Sequence, residues 1–144
     1  MAANTSSRAT TIITRPPDNR PGAFGFHHRY RGQNPQGARV RLNPDGTEMI
    51  TGRGKHGVYR ARVDVQAPDG QWIPKSKQAT FFPDDMTPQE VDEAISQAFR
   101  GRELQPNDST AWDGRAGNGM LIGGFTDEPG GNRWKTVFPI MESE

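Results

Sequence analysis

The chain has 144 residues, about one domain's worth, with 31% hydrophobic residues, 17 Gly, 12 Pro and a mean hydropathy of −0.87. That is too rich in turn-formers for a helical bundle and too apolar for a wholly disordered chain, and the absence of cysteine excludes disulfides, thiolate nucleophiles and thiolate zinc sites. The net charge of +1 conceals an asymmetry: residues 1–80 hold 13 Lys+Arg against 5 Asp+Glu, and residues 81–144 hold 5 against 12. If the two parts interleave in space they neutralise each other, and if they do not, the basic part offers a face to a polyanion such as nucleic acid.

Residues 1–21 are dominated by Thr, Ser, Pro and Arg, with only Ile12 and Ile13 as adjacent large apolar residues, and read as a linker or loosely held arm before a domain spanning 22–144. No apolar stretch there has the character of a secretion signal, and no run in the chain approaches the roughly 18 apolar residues of a membrane span. Phe24 to Tyr30 is aromatic and basic (FGFHHRY), and a Gly- and Arg-rich loop with a turn at Asn43-Pro44-Asp45-Gly46 follows. Residues 58–65 alternate with a period of two as a half-buried strand does. Pro68-Asp69-Gly70 marks a turn, and Trp72 to Phe82 offers a second strand interrupted at Pro74, which makes a β-hairpin. Thr87-Pro88-Gln89-Glu90 is a capping box with Pro at N1, and Val91, Ala94, Ile95, Ala98 and Phe99 continue at helical spacing, predicting a helix over 87–100. Residues 102–119 read as a polar loop, and Met120–Phe125 with Trp134–Ile140 as a closing hairpin. The fold class is α+β: curved antiparallel β-sheet with a helix packed on one face, behind a basic, loop-rich N-terminal third.

Proton-transfer chemistry in a chain without cysteine falls to His27, His28 and His56, all in the basic part. Glycines beside them allow close backbone approach to a ligand, and the neighbouring Arg29, Arg31 and Lys55 favour an anionic one. Lys75 and Lys77, projecting from one face of the second strand, are candidate phosphate clamps, and Thr136 a candidate hydroxyl donor. Adjacent His27 and His28 cannot easily turn both rings to one metal ion, and no His-x-x-x-His spacing occurs, so neither a metal nor a cofactor is expected. Two histidines and a lysine in a basic groove suit internal transesterification of RNA. A base takes the 2′-hydroxyl proton, an acid protonates the leaving 5′-oxygen, and a cation stabilises the phosphorane charge.

Gly57-Val58-Tyr59-Arg60-Ala61-Arg62-Val63, then Thr80-Phe81-Phe82-Pro83-Asp84-Asp85-Met86-Thr87 and its helix, then Thr136-Val137-Phe138-Pro139-Ile140, taken in that order, resemble the bacterial EndoU-type endoribonuclease domains. These occur as C-terminal modules of contact-dependent inhibition and other polymorphic toxins. The resemblance covers about residues 22–140 and implies a metal-independent endoribonuclease that leaves a 2′,3′-cyclic phosphate. It also implies delivery within a larger toxin to the target-cell cytoplasm, RNA (tRNA included) as substrate, and a cognate immunity protein. By position, His27 or His28 matches the family's Gly-x-His segment, Lys75 or Lys77 its lysine, and Thr136 its phosphate-contacting threonine. The chain departs from the pattern at His56, where Asn is common, so that either His56 takes the second histidine role or His27 and His28 divide the work. It departs again at Phe138, which lacks the common aromatic hydroxyl but keeps a face for stacking on a base. The alternative reading is a non-catalytic RNA- or protein-binding module, for which the basic part alone would suffice.

Overall fold

The computed structural model describes residues 26–144; the expected arm at 1–21 and Gly25 of the Gly-x-His segment lie outside the described residues. The chain forms β1 (Ala38–Val40), β2 (Ile50–Arg53), β3 (Tyr59–Ala61), β4 (Val63–Gln66), β5 (Trp72–Pro74), β6 (Ala79–Phe81), α1 (Pro88–Arg100), β7 (Glu103–Gln105), β8 (Asp108–Arg115), β9 (Leu121–Thr126) and β10 (Trp134–Pro139). These make an α+β fold of three antiparallel sheets and one helix, with strand orders β1-β4-β5, β2-β3-β6 and β10-β9-β8-β7.

The helix forms where the capping box predicts it. The Thr87 hydroxyl accepts from the Glu90 amide at 3.1 Å, and the Glu90 carboxylate accepts from the Thr87 amide at 2.8 Å. Its apolar stripe, Val91, Ala94, Ile95, Ala98 and Phe99, is buried against Trp112, Ile122 and Val137 of the four-stranded sheet. Val91, Ile95 and Phe99 each contribute about 2 kcal/mol by leaving water. The close fit of helix to sheet needs glycine at one point: a Cβ on Gly114 would stand 2.1 Å from the Ala98 carbonyl oxygen. This explains part of what sequence reading missed. Residues 102–119, expected to be loop, contain the β7–β8 hairpin, whose β8 includes a glycine chosen for helix contact rather than for a turn.

The first expected hairpin forms but is divided between two sheets. The strand expected over 58–65 breaks at Arg62: β3 pairs with β6 (Tyr59↔Phe81, Arg60↔Thr80) and β4 with β5 (Asp64↔Pro74, Val65↔Ile73). Proline at 74 has no amide to extend the ladder, so the chain leaves β5 there and rejoins the other sheet at Ala79. Among the described residues before Val58, which read from the sequence as loop, β1 and β2 form. A second core of Phe26, Val40, Tyr59, Ala61, Val63 and Phe81 fills the space inside these strands.

Into this core comes a charge. Arg29 is 1% exposed, and its guanidinium donates to the Glu48 carboxylate at 2.6 and 3.0 Å and to the Tyr59 hydroxyl at 3.0 Å, with Asp84 at 3.6 Å. Burial alone would lower the guanidinium pKa, but the bonds to Glu48 and Tyr59 outweigh it and hold Arg29 protonated well above its ordinary range. The bond from Arg29 holds Glu48 below its ordinary carboxylate value against a smaller opposing effect of burial. Burial, reinforced by the bond to Asp84, raises the Tyr59 hydroxyl. Arg29, expected from the sequence to contact RNA, is enclosed and paired with Glu48 and Tyr59 within the fold.

Gly114→Ala should destabilise the fold by roughly 3 kcal/mol or more, because backbone must move; chemical denaturation measures it, and an unchanged midpoint would contradict this packing. Because folding lowers the Glu48 pKa, its contribution is present above the ordinary value of 4.5 and is lost as pH falls through the lower folded value. Glu48→Gln should therefore cost about 1 kcal/mol at pH 7, a low figure because Glu48 is partly exposed, and should flatten the acid limb of a stability-against-pH curve.

Candidate functional site

Strand β6 is hydrogen-bonded on one edge to β3 and on the other to the segment that enters at Phe26. The Phe82 amide donates to the His27 carbonyl at 2.8 Å, and the His27 Nδ1 lies 2.8 Å from the Thr80 carbonyl oxygen. A carbonyl can only accept, so Nδ1 carries the hydrogen and, in the neutral ring, the basic lone pair is on Nε2. The Thr80 hydroxyl in turn donates to the Pro139 carbonyl at 2.6 Å, tying β6 to β10 of the other sheet.

At this junction lies a groove of about 570 Å3 lined by His27, Arg60, Lys77, Gln78, Thr80 and Phe138, with Ala79, Pro139, Ile140 and Met141. Its polar wall is built by register: Arg60 on β3 stands opposite Thr80 on β6 and Gly52 on β2, while the alternate residues Tyr59, Ala61 and Phe81 point into the second core. The facing wall is β10, where Phe138 lies 5.8 Å from the His27 ring, centroid to centroid. The lining holds one imidazole, His27, two cationic side chains, Arg60 and Lys77, and no carboxylate. Among the described residues, ion pairs form mostly within each part of the sequence (Arg29–Glu48, Arg39–Asp64, Arg41–Asp64, Arg115–Glu142), and Arg29–Asp84 crosses between them. The acidic part therefore leaves this groove basic.

The other expected site residues are distributed around it. His28 is fully buried, its Nε2 donating to the Met86 carbonyl at 2.8 Å and its ring edge-on to Phe82, so it joins the entering segment to the start of α1. His56 is exposed at the tip of the β2–β3 hairpin, outside the groove lining. Its φ of 63° is in the left-handed region that a residue with a side chain rarely adopts. It is held there by the Gly54 amide bond to Val58 O and the Lys55 amide bond to Glu142 O, and it lies against Gly119. The two lysines do not share a strand face, because the chain is irregular after Pro74. The Lys75 amide donates to Val63 and its carbonyl accepts from Arg41, which keeps it with the first sheet, whereas Lys77 reaches the groove. Thr136 lies on the same β10 face as Phe138, two residues back and opposite Phe125, beyond the lining. Arg31 and Lys55 are exposed outside it.

Arg60 and Thr80 are groove residues that sequence reading did not single out. The signal for Arg60 was its place on the polar face of an alternating strand; Thr80 acts through backbone and hydroxyl bonds that no pattern announces. Among the described residues, no three of His, Cys, Asp or Glu are grouped to hold one metal ion, and no helix is long and apolar enough to cross a membrane.

Neither a curated protein nor a solved structure matches the chain. The family model for the bacterial EndoU nuclease matches residues 12–141, a span that contains His27, both β3 and β6, and the whole β10 wall of the groove. The chain therefore belongs to the bacterial EndoU nuclease family.

Proposed function

We propose that the protein is a metal-independent endoribonuclease that cuts RNA by attack of the ribose 2′-hydroxyl on the adjacent phosphorus, breaking the P–O5′ bond and leaving a 2′,3′-cyclic phosphate. The observation that carries this reading is the groove in which His27, its Nδ1 committed to Thr80, lines a wall with Arg60 and Lys77 and with no carboxylate. His27 Nε2 exchanges a proton with the reacting oxygens, and Lys77 offsets the charge that develops on the phosphoryl oxygens. Phe138, with Phe125 6.3 Å beyond it and 40% exposed, offers aromatic faces on which bases stack, and Thr136, paired with Phe125, is the hydroxyl donor. His56 supplies the second imidazole from the hairpin tip, its left-handed backbone being the kind of strain found at functional positions. His28, with its Nε2 hydrogen on Met86, takes a structural role.

A specific observation favours a second reading, a non-catalytic RNA-binding module: His56 stands outside the groove lining, which leaves one imidazole there. In either case a delivered toxin is the setting that the family suggests, with RNA as ligand and an immunity protein that is acidic where it covers the groove.

Purified protein incubated with total RNA in excess EDTA should produce fragments ending in 2′,3′-cyclic phosphate. Absence of cleavage, or cleavage that needs added metal, contradicts the proposal. His27→Ala should lower the rate by about 100- to 10,000-fold with RNA affinity nearly unchanged, and equal rates for the variant and the wild type would move the chemistry elsewhere. Lys77→Ala should slow cleavage at least about tenfold through loss of phosphoryl charge stabilisation, while Lys75→Ala leaves it near wild type; the reverse order would assign the lysine role to Lys75.

A further inference from the structure

We infer that Arg60 is a phosphate-binding residue on the polar wall of the groove, with Gly52 kept small to leave it room, an inference that rests on the RNA-cleaving reading of the same site. Arg60 Nε is buried and has no hydrogen-bond partner among the described residues. The side chain makes no ion pair there either, whereas Arg29, Arg39, Arg41 and Arg115 all reach carboxylates, and Arg62 reaches the Ser76 carbonyl. A buried guanidinium donor left unpaired is destabilising, and an anion entering the groove would relieve it.

The geometry around it favours a phosphodiester. Arg60 lies in register between Gly52 and Thr80, on the groove wall that also carries His27, and no Asp or Glu lines that wall to compete for the guanidinium. The planar fork of arginine donates to two phosphoryl oxygens at once, where the exposed Lys77 offers a hydrated point charge. Gly52 does not have a positive φ, so its missing side chain is explained by space rather than backbone conformation. A Cβ there would stand 3.1 Å from Arg60 Nη2 and 3.2 Å from Met141 Cε, both ends of flexible side chains that would have to shift. The ligand class is the backbone of single-stranded nucleic acid, with Arg60 fixing one phosphate within reach of His27.

The test separates binding from cleavage. Affinity for a single-stranded oligodeoxyuridine decamer, which carries the phosphates but no 2′-hydroxyl, is measured across a salt series for wild type, Arg60→Gln, Arg60→Lys and Gly52→Ala, with circular dichroism to verify folding. Cleavage of the matching ribo-decamer is measured in parallel. Arg60→Gln should weaken decamer binding about tenfold and reduce the salt slope by about 0.7, the loss of one phosphate contact on a single strand. Arg60→Lys should recover part of both. Gly52→Ala, which keeps the charge but displaces it, should weaken binding at least about threefold, and it carries the test if Arg60→Gln fails to fold. Wild-type affinity and slope in folded Arg60→Gln, or in Gly52→Ala where that variant carries the test, overturn the inference, as does absence of decamer binding by the wild type. If the wild type does not cleave RNA yet Arg60→Gln still weakens decamer binding, the phosphate site stands and the cleavage reading falls. If the wild type cleaves and Arg60→Gln matches it in rate and affinity, the reverse holds.

Discussion

A single buried cation organises the site. Arg29 lies at the end of the segment that begins at Phe26, and enclosing its guanidinium in a hydrocarbon core is tolerable only because Glu48, Tyr59 and Asp84 converge on it. Those partners come from the approach to β2, from β3 and from the turn after β6, so satisfying one charge draws together three distant stretches of chain. Each end of the segment is then determined: Phe26 packs edge-on against Phe81 at 4.9 Å, and His27 is laid along β6 with its Nδ1 on Thr80. The imidazole that faces the groove is positioned by a charge that never touches it.

The groove itself belongs to neither core alone. One wall is the outer face of β2-β3-β6, whose inner face fills the second core, and the other is β10, which closes the sheet that packs on α1. Thr80 links them, accepting from His27 through its carbonyl and donating to Pro139 through its hydroxyl. This arrangement concentrates Arg60, Lys77 and His27 where two sheets meet, and the partition of ion pairs leaves no carboxylate to quench them. The near-neutral total charge therefore says little about the site, because the acidic residues that balance the sum are placed on other surfaces or paired with other arginines.

Sequence pattern was informative wherever one local rule decided the outcome. The capping box and apolar stripe of α1, the β9–β10 hairpin and the interruption at Pro74 each follow from residues within a few positions of one another. It failed where a distant neighbour decides. The β7–β8 hairpin reads as polar loop because its strand faces the helix through Gly114 and Trp112, and a glycine placed to clear the Ala98 carbonyl is indistinguishable from one placed in a turn. Arg62 ends one strand and begins another because its neighbours pair in different sheets, which period-two alternation cannot reveal. At the site, the histidine-rich segment was visible by composition. The separation of His27 from the buried His28, of Lys77 from Lys75, and the diversion of Arg29 into the core all depend on long-range partners. Family resemblance carried the functional reading further than pattern did, since it weighs blocks in order along nearly the whole chain.

On the proposed function, His27, held by Thr80, is the imidazole that meets RNA in this groove. Side-chain nitrogen NMR of the three histidines, before and after adding the oligodeoxyuridine decamer, tests it most directly. Neutral His27 should carry its hydrogen on Nδ1 and its Nε2 resonance should move on binding, while the buried His28 retains its hydrogen on Nε2 and stays still. A His27 ring with its hydrogen on Nε2, or one whose resonances are unmoved by a ligand that binds, would contradict it.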